Sequence, residues 1–403
     1  MKYSFVIPVY LSRSTTEGWK EGDTVYDHPT PINEKGTLVR TLESLKSISA
    51  EKFDIILLVS TTTPDIEKET EKWVKKRLQE ASYLPKNIYV FSHTDLHELT
   101  VKIKKTVSKE TDPLLSLRGY SQVRNAGFLA AIVSGTDALI WLDDDELVKD
   151  QQFIKKIDEG LRKKINGQTI KLITGACPEG EVGGYIRVRE TKPWMIYWDK
   201  IKYQNEAFTK IIGTDPRWKV SPFAHGGLSI IHRDIFTKIP YDPYVQRGED
   251  MDLNMNARMF GYSFYLDNLL EIRHCPPPRV HPQWKRVRED MIRFLWQRNK
   301  ILNQRKIVGL KKITAEEFDP YPGPFLKNNL EELIFKSQST LATEYITEKK
   351  FAEAKEAIEN IALASKDPLL QKNAFEEYIQ TQKNWASLVK EVSKISFNLK
   401  KYT

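Results

Sequence analysis

Phe53 to Val59 (FDIILLV) is a continuous apolar run that leaves no periodic polar face. Such a run is stable as a strand covered on both sides, which is the usual situation in a parallel sheet. Three other segments read the same way: Tyr3–Tyr10 (YSFVIPVY), Ile88–Phe91 and Ala138–Leu142 (ALIWL). Around them, apolar residues recur at helical spacing. Leu38, Leu42 and Leu45 mark a helix within 37–49, Ile66, Trp73, Val74 and Leu78 a second, and Phe153, Ile154, Ile157 and Leu161 a third. This order predicts an α/β fold with a mostly parallel sheet and helices on both faces. In such sheets, ligands lie beyond the carboxyl ends of the strands. Residues 11–36 are polar and read as a long loop, a length that is often functional.

The stretch 170–275 reads as further strands and loops: Leu172–Thr174, Gly227–His232, Ser263–Asp267 and Leu270–His274. A helix over 285–302 follows, then a breaker-rich linker at Asp319–Pro324 (DPYPGP) and a helical region. In that region Phe351, Ala354, Ala357, Ile358 and Ile361 share a face. The chain has 403 residues, too many for one compact core, so one large and one smaller domain are expected. Its 62 Lys and Arg against 54 Asp and Glu give a net charge of +8, spread along the chain. That balance suits a phosphate-bearing ligand at least as well as nucleic acid. The longest apolar runs are far short of a membrane span, and the N-terminus enters a strand directly. Two cysteines, Cys177 and Cys275, rule out a disulfide scaffold. The expected location is the cytoplasm.

Asp143, Asp144, Asp145 and Glu146 follow the Ala138–Leu142 strand without a break. Adjacent carboxylates repel unless cations or hydrogen bonds compensate them. At a strand end, the first and third could supply hard oxygens to Mg²⁺ or Mn²⁺ with positions left for a diphosphate; capping of the next helix is the alternative use. Gly226-Gly227 allow close backbone approach. Gly248-Glu249-Asp250-Met251-Asp252 opens a helix, and His274 ends a strand as either a buried histidine or a third metal ligand. Arg124 and Asn125 enter an otherwise apolar helix, where the arginine could pair with phosphate or with an acid of the same site. A basic stretch over 279–306, from Arg279 through Lys285, Arg286, Arg288, Arg293, Arg298 and Lys300 to Lys306, could hold a diphosphate or be a solvated helix face. No P-loop or GxGxxG spacing, GxSxG elbow or CxxC pair is present.

Taken in order, these segments resemble the nucleotide-sugar glycosyltransferases of the large family 2 type. Tyr3–Tyr10 resembles their first strand, Arg124–Gly127 their RNxG segment and Ile140–Glu146 (IWLDDDE) their DxD strand. Gly226-Gly227 with Gly248-Glu249-Asp250 resembles their acceptor-side glycines and ED motif, and His274 a late metal-binding histidine. Phe294–Asn299 (FLWQRN) is similar to the tail of rhamnosyl- and galactofuranosyltransferase-like members. The resemblance implies a GT-A fold over 1–305, with a nucleotide-sugar half (1–150) and an acceptor half (151–305). Beyond it come a linker (306–324) and a helical C-terminal region (325–403), which is expected to carry no chemistry and to serve oligomerisation or acceptor docking.

By the same resemblance Asp143 and Asp145, with His274, would hold a divalent ion. Pro8, Tyr10, Arg124, Asn125 and Asp144 would lie along the donor. Gly226 and Gly227, with Trp194 and Trp198, would line the acceptor side, where the two tryptophans have core packing as their equal alternative. Asp250 would be the general base, with Glu249 beside it. The residue that reads the nucleobase has no counterpart: Val59-Ser60-Thr61-Thr62-Thr63 is followed by its first acid only at Asp65. The activity implied is metal-dependent transfer of one sugar, a hexose, from a UDP- or GDP-sugar to a hydroxyl acceptor with inversion. A retaining transferase, a nucleotidyltransferase and a non-catalytic sugar-binding protein are the competing classes. No nucleic-acid partner and no membrane span are expected.

Overall fold

The computed structural model describes residues 1–402 other than 104–106, 181, 189 and 279–280, so Arg279 lies outside the described residues. Its centre is a ten-stranded mixed sheet. From one edge the strand order is Trp218–Val220, Phe264–Glu271, Leu172–Ala176, Ser229–His232, Ala138–Trp141, Tyr3–Ser12, Phe53–Thr61, Ile88–Phe91 and Lys400–Lys401, with Thr30–Pro31 paired beside Tyr3–Ser12. The apolar runs singled out in the sequence form its parallel middle. Tyr3–Ser12 pairs in parallel with both Phe53–Thr61 and Ala138–Trp141, and Phe53–Thr61 with Ile88–Phe91. Ser229–His232 then runs antiparallel between Ala138–Trp141 and Leu172–Ala176. The segment read as two strands over 263–274 is one strand, Phe264–Glu271, that steps off the sheet into the short strand Arg273–His274. That step decides the site, because Arg273–His274 pairs antiparallel with Glu146–Leu147 and carries His274 alongside the acidic turn.

Helices cover both faces, as the alternation predicts. Leu38–Ser44, Glu67–Glu80 and Phe153–Arg162 pack on one face through Leu42, Val74 and Ile157. Tyr120–Val133 packs on the other through Phe128 and Leu129. Beyond residue 325 the chain forms the helices Leu330–Thr347, Phe351–Lys366 and Ala374–Val392, the helical C-terminal region that was expected. These helices share cores with the rest of the chain. Trp385 is fully buried, its ring 6.1 Å from that of Phe128 and its indole N–H on the Phe236 carbonyl at 3.0 Å. Lys400–Lys401 adds the last strand to the sheet edge. No helix among the described residues is long and apolar enough to cross a membrane.

Candidate active site

The strand Ala138–Trp141 delivers its chain to the cleft through Leu142, after which the backbone folds back tightly. The Glu146 carboxylate accepts the Asp143 N–H at 2.8 Å, and the Glu146 N–H donates to the Asp143 carbonyl at 3.1 Å. Thr41 fixes the middle of the turn by donating its hydroxyl to the Asp144 carbonyl at 2.8 Å. The four acids therefore diverge. Asp143 turns to Arg124, with Oδ1 2.9 Å from Nη2. Asp145 turns to His274, with Oδ2 3.6 Å from Nε2. Asp144 is buried, and its Oδ2 has no hydrogen-bond partner. Burial and the neighbouring carboxylates push Asp144 well above the usual carboxylate range. Burial acts on Asp145 in the same direction, but pairing with His274 outweighs it and holds Asp145 below its ordinary value.

Arg124 links this turn to the second acidic motif. It is 2% exposed on the helix Tyr120–Val133, stacks 4.5 Å over the Trp141 ring, and places Nε 3.2 Å from Glu249 Oε1. Glu249 and Asp250 open the helix Glu249–Met259 from Gly248, whose φ of +68° is a left-handed value that glycine adopts without strain. A side chain at Gly248 would also collide with the Arg293 guanidinium. The two acids differ in freedom. Glu249 is buried against Arg124, and burial raises it to about 7 despite that partner. Asp250 is half-buried, accepts the Met251 N–H at 2.8 Å, and is likewise raised by burial. Gly226 and Gly227 are small for two distinct reasons. A Cβ on Gly227 would overlap the Glu146 carboxylate, and one on Gly226 would sit 3.0 Å from Arg124 Nη2 and 3.8 Å from Asp250 Oδ2.

These groups line one cleft of about 260 Å³. Of the residues singled out from sequence, Tyr10, Arg124, Asp143, Asp144, Asp145, Gly226, Gly227, Glu249, Asp250 and His274 all face it. Four do not. Pro8 is buried in the strand Tyr3–Ser12, opposite Leu58. Asn125 spends both ends of its amide on the Tyr241 backbone, at 2.9 Å each, and holds a loop instead of a ligand. Trp194 and Trp198 are buried in the core of the second half, with Trp198 4.9 Å from the Phe325 ring, so their packing alternative describes where they sit.

The cleft also has walls that the sequence reading did not assign. The 11–36 loop contributes Asp27 and His28, held in place by a ring cluster in which Tyr26 lies 4.4 Å from Tyr10 and 4.9 Å from Tyr120. Arg187, Lys200 and Arg247 come from loops and a helix start, Asp290 and Arg293 from the helix Gln283–Leu302, and Tyr321 from the linker. The basic stretch had flagged Arg286 and Arg293, which do line the cleft, while Arg298 turns away to Glu331. The other new members had no local signal, because each is a single charge in an ordinary segment. Asp65, the first acid after the second strand, is taken by Arg13 at 2.6 Å.

No protein-family model matches the chain, and no curated protein matches it. Among solved structures it is similar to a mannosyltransferase from Pyrobaculum calidifontis in complex with GDP-Man and Mn²⁺, at 11% identity and a TM-score of 0.46, covering 96% of this chain and 85% of that one. It is also similar to glucosyl-3-phosphoglycerate synthase from Mycobacterium tuberculosis in complex with Mn²⁺, UDP-glucose and phosphoglyceric acid. There the identity is 12% and the TM-score 0.34, with 73% of this chain and 77% of that one covered.

Proposed function

We propose that this chain is a metal-dependent glycosyltransferase of the GT-A type that moves one sugar from a nucleoside-diphosphate sugar to a hydroxyl acceptor with inversion. The observation that carries the reading is the convergence of two acidic motifs on one cleft at a strand's carboxyl end. One carries a carboxylate–histidine pair and the other the half-buried carboxylate of Asp250, with buried Arg124 between them.

Asp145 and His274 suit a divalent ion. They offer a hard oxygen and an imidazole 3.6 Å apart, beside the orphaned oxygen of Asp144. Asp143 shares its carboxylate with Arg124 and stands on the cleft side of that pair. Among the described residues no three His, Cys, Asp or Glu side chains are grouped to hold a metal ion. A bound Mn²⁺ or Mg²⁺ would act as a Lewis acid on the departing diphosphate. The chain's own groups do the rest. Arg124 holds Asp143 and Glu249 at a fixed separation, and Gly226 leaves space for the acceptor next to Asp250. Asp250, which has no cationic partner at hydrogen-bond distance among the described residues, takes the proton from the attacking hydroxyl.

A thermal-shift screen of nucleoside diphosphates and their sugars, with and without Mn²⁺, tests the reading. Stabilisation is expected only with nucleotide and metal together, since a ligand that binds only the folded state raises the melting temperature. A chain stabilised by no nucleotide, with or without metal, would sink it. The anomer of the product, read by NMR, separates inversion from retention.

A further inference from the structure

In the same cleft as the acidic turn, four elements bring charge to one spot. Asp290 receives Lys200 Nζ at 2.5 Å, Arg247 Nη1 at 3.0 Å and Arg293 Nε at 3.2 Å, and Arg247 also holds Asp27 at 2.9 Å. All five side chains line the cleft, as does Arg286. With Lys200 protonated, three cations surround two carboxylates and leave positive charge over; burial and the neighbouring Arg247 lower Lys200 to about 7, a loss that a bound anion would offset. Asp290 is 6% exposed, Arg293 3%, Arg247 14% and Lys200 20%, with Asp27 at the rim. Buried charges are retained where they find partners, so an excess of one sign at a cleft wall calls for a ligand of the other. The cluster shares the cleft with the Asp145–His274 pair, and Arg293 ties it to the other acidic motif by donating to the Gly248 carbonyl at 3.4 Å, one residue before Glu249. An anionic group held here would have the rest of its molecule beside Asp250.

We infer that Lys200, Arg247, Arg286 and Arg293 form a metal-independent anion subsite, and that the acceptor carries a phosphoryl group which binds there while its hydroxyl meets Asp250. Arginine forks and an ammonium around a shared point match a multiply charged oxyanion. The inference rests on the transferase reading for the word acceptor, but the subsite itself does not depend on that reading.

The test is calorimetric titration of the full chain with two probes: inorganic phosphate in EDTA, and UDP or GDP with Mn²⁺. Phosphate is expected to bind without metal and to remain bound when nucleotide and Mn²⁺ are added. Lys200→Met should weaken phosphate at least tenfold and leave the nucleotide within about threefold, while Lys200→Arg should keep most of the phosphate affinity. Failure of wild-type protein to bind phosphate in EDTA would overturn the subsite. Displacement of phosphate by nucleotide, or an equal loss of nucleotide affinity in Lys200→Met, would overturn it as well, because the cations would then serve the donor's diphosphate. If Lys200→Met does not fold, Arg286→Gln carries the same expectations. A chain that binds phosphate but no nucleotide would refute the transferase reading while leaving the anion subsite standing.

Discussion

Helix Glu249–Met259 carries acids to two very different places within one turn. Glu249 and Asp250 open onto the cleft, whereas Asp252 points into the core. There Lys300, fully buried, sits 2.9 Å from Asp252 and 2.8 Å from Asp242, and the Trp296 indole N–H completes Asp242 at 2.9 Å. The core cluster is closed: its cation lies between two carboxylates, with Asn256 as a further acceptor at 3.1 Å. At the cleft, no cation among the described residues lies at hydrogen-bond distance from Asp250, whose carboxylate accepts the Met251 N–H and lines the cleft. Neighbouring acids of one sequence run thus divide between a sealed core pair and the cleft. What separates them is the presence of a buried partner, not local sequence.

The largest effect should come from breaking the cleft side. Asp250→Asn keeps the shape and removes the base, so transfer should fall by roughly 10²–10⁴-fold. Nucleotide binding with Mn²⁺ should be retained, since Asp145 and His274 are untouched. Transfer at the wild-type rate, together with loss of activity in Glu249→Gln, would assign the base to the other acid.

Breaking the closed side should instead cost stability. Lys300→Met strands two buried carboxylates, and denaturant unfolding should show a loss of about 3–5 kcal/mol. An unchanged midpoint would mean that Asp242 and Asp252 do not depend on the lysine. A smaller effect tests the packing around the acidic turn. Gly227→Ala must push the Glu146 carboxylate off the Asp143 N–H, at a cost of about 1–3 kcal/mol as for other overpacked sites. Nucleotide affinity measured with Mn²⁺ should weaken alongside, whereas a neutral outcome would place the turn outside the donor site.

A pH dependence is also expected. Burial raises Glu249 in the folded chain from 4.5 to about 7, so the folded state holds this proton more tightly than the unfolded state does. Below pH 4.5 both states are protonated and the group is neutral for stability. Between 4.5 and about 7 only the unfolded state gives up the proton, so stability should decline across that window as pH rises. Glu249→Gln should remove this part of the slope, and an identical slope in the variant would show that Glu249 titrates normally.

The fold was legible where burial is two-sided. Tyr3–Ser12, Phe53–Thr61, Ile88–Phe91 and Ala138–Trp141 stood out because a strand covered on both faces has few polar positions to interrupt its apolar run. The acidic motifs were legible for a related reason, since adjacent carboxylates at an element's end need compensation and so mark a place where something must bind or cap. The tryptophans were not decidable in this way. Trp194 and Trp198 look the same on paper whether they meet a sugar or Phe325.

The sequence by itself determined the alternation of elements, the strand end that carries Asp143–Glu146, and the helix start that carries Glu249 and Asp250. Each of these is written in contiguous residues through periodicity and local charge. Only the tertiary structure decided that Asp143 would face Arg124 while Asp145 faces His274, and that Asp252 would be sealed against Lys300. It also decided that Asp27, Lys200, Arg247 and Asp290 would meet across the cleft. Those pairings join residues from tens to more than two hundred positions apart, and a charge carries no local mark of the partner that the folded chain will bring to it.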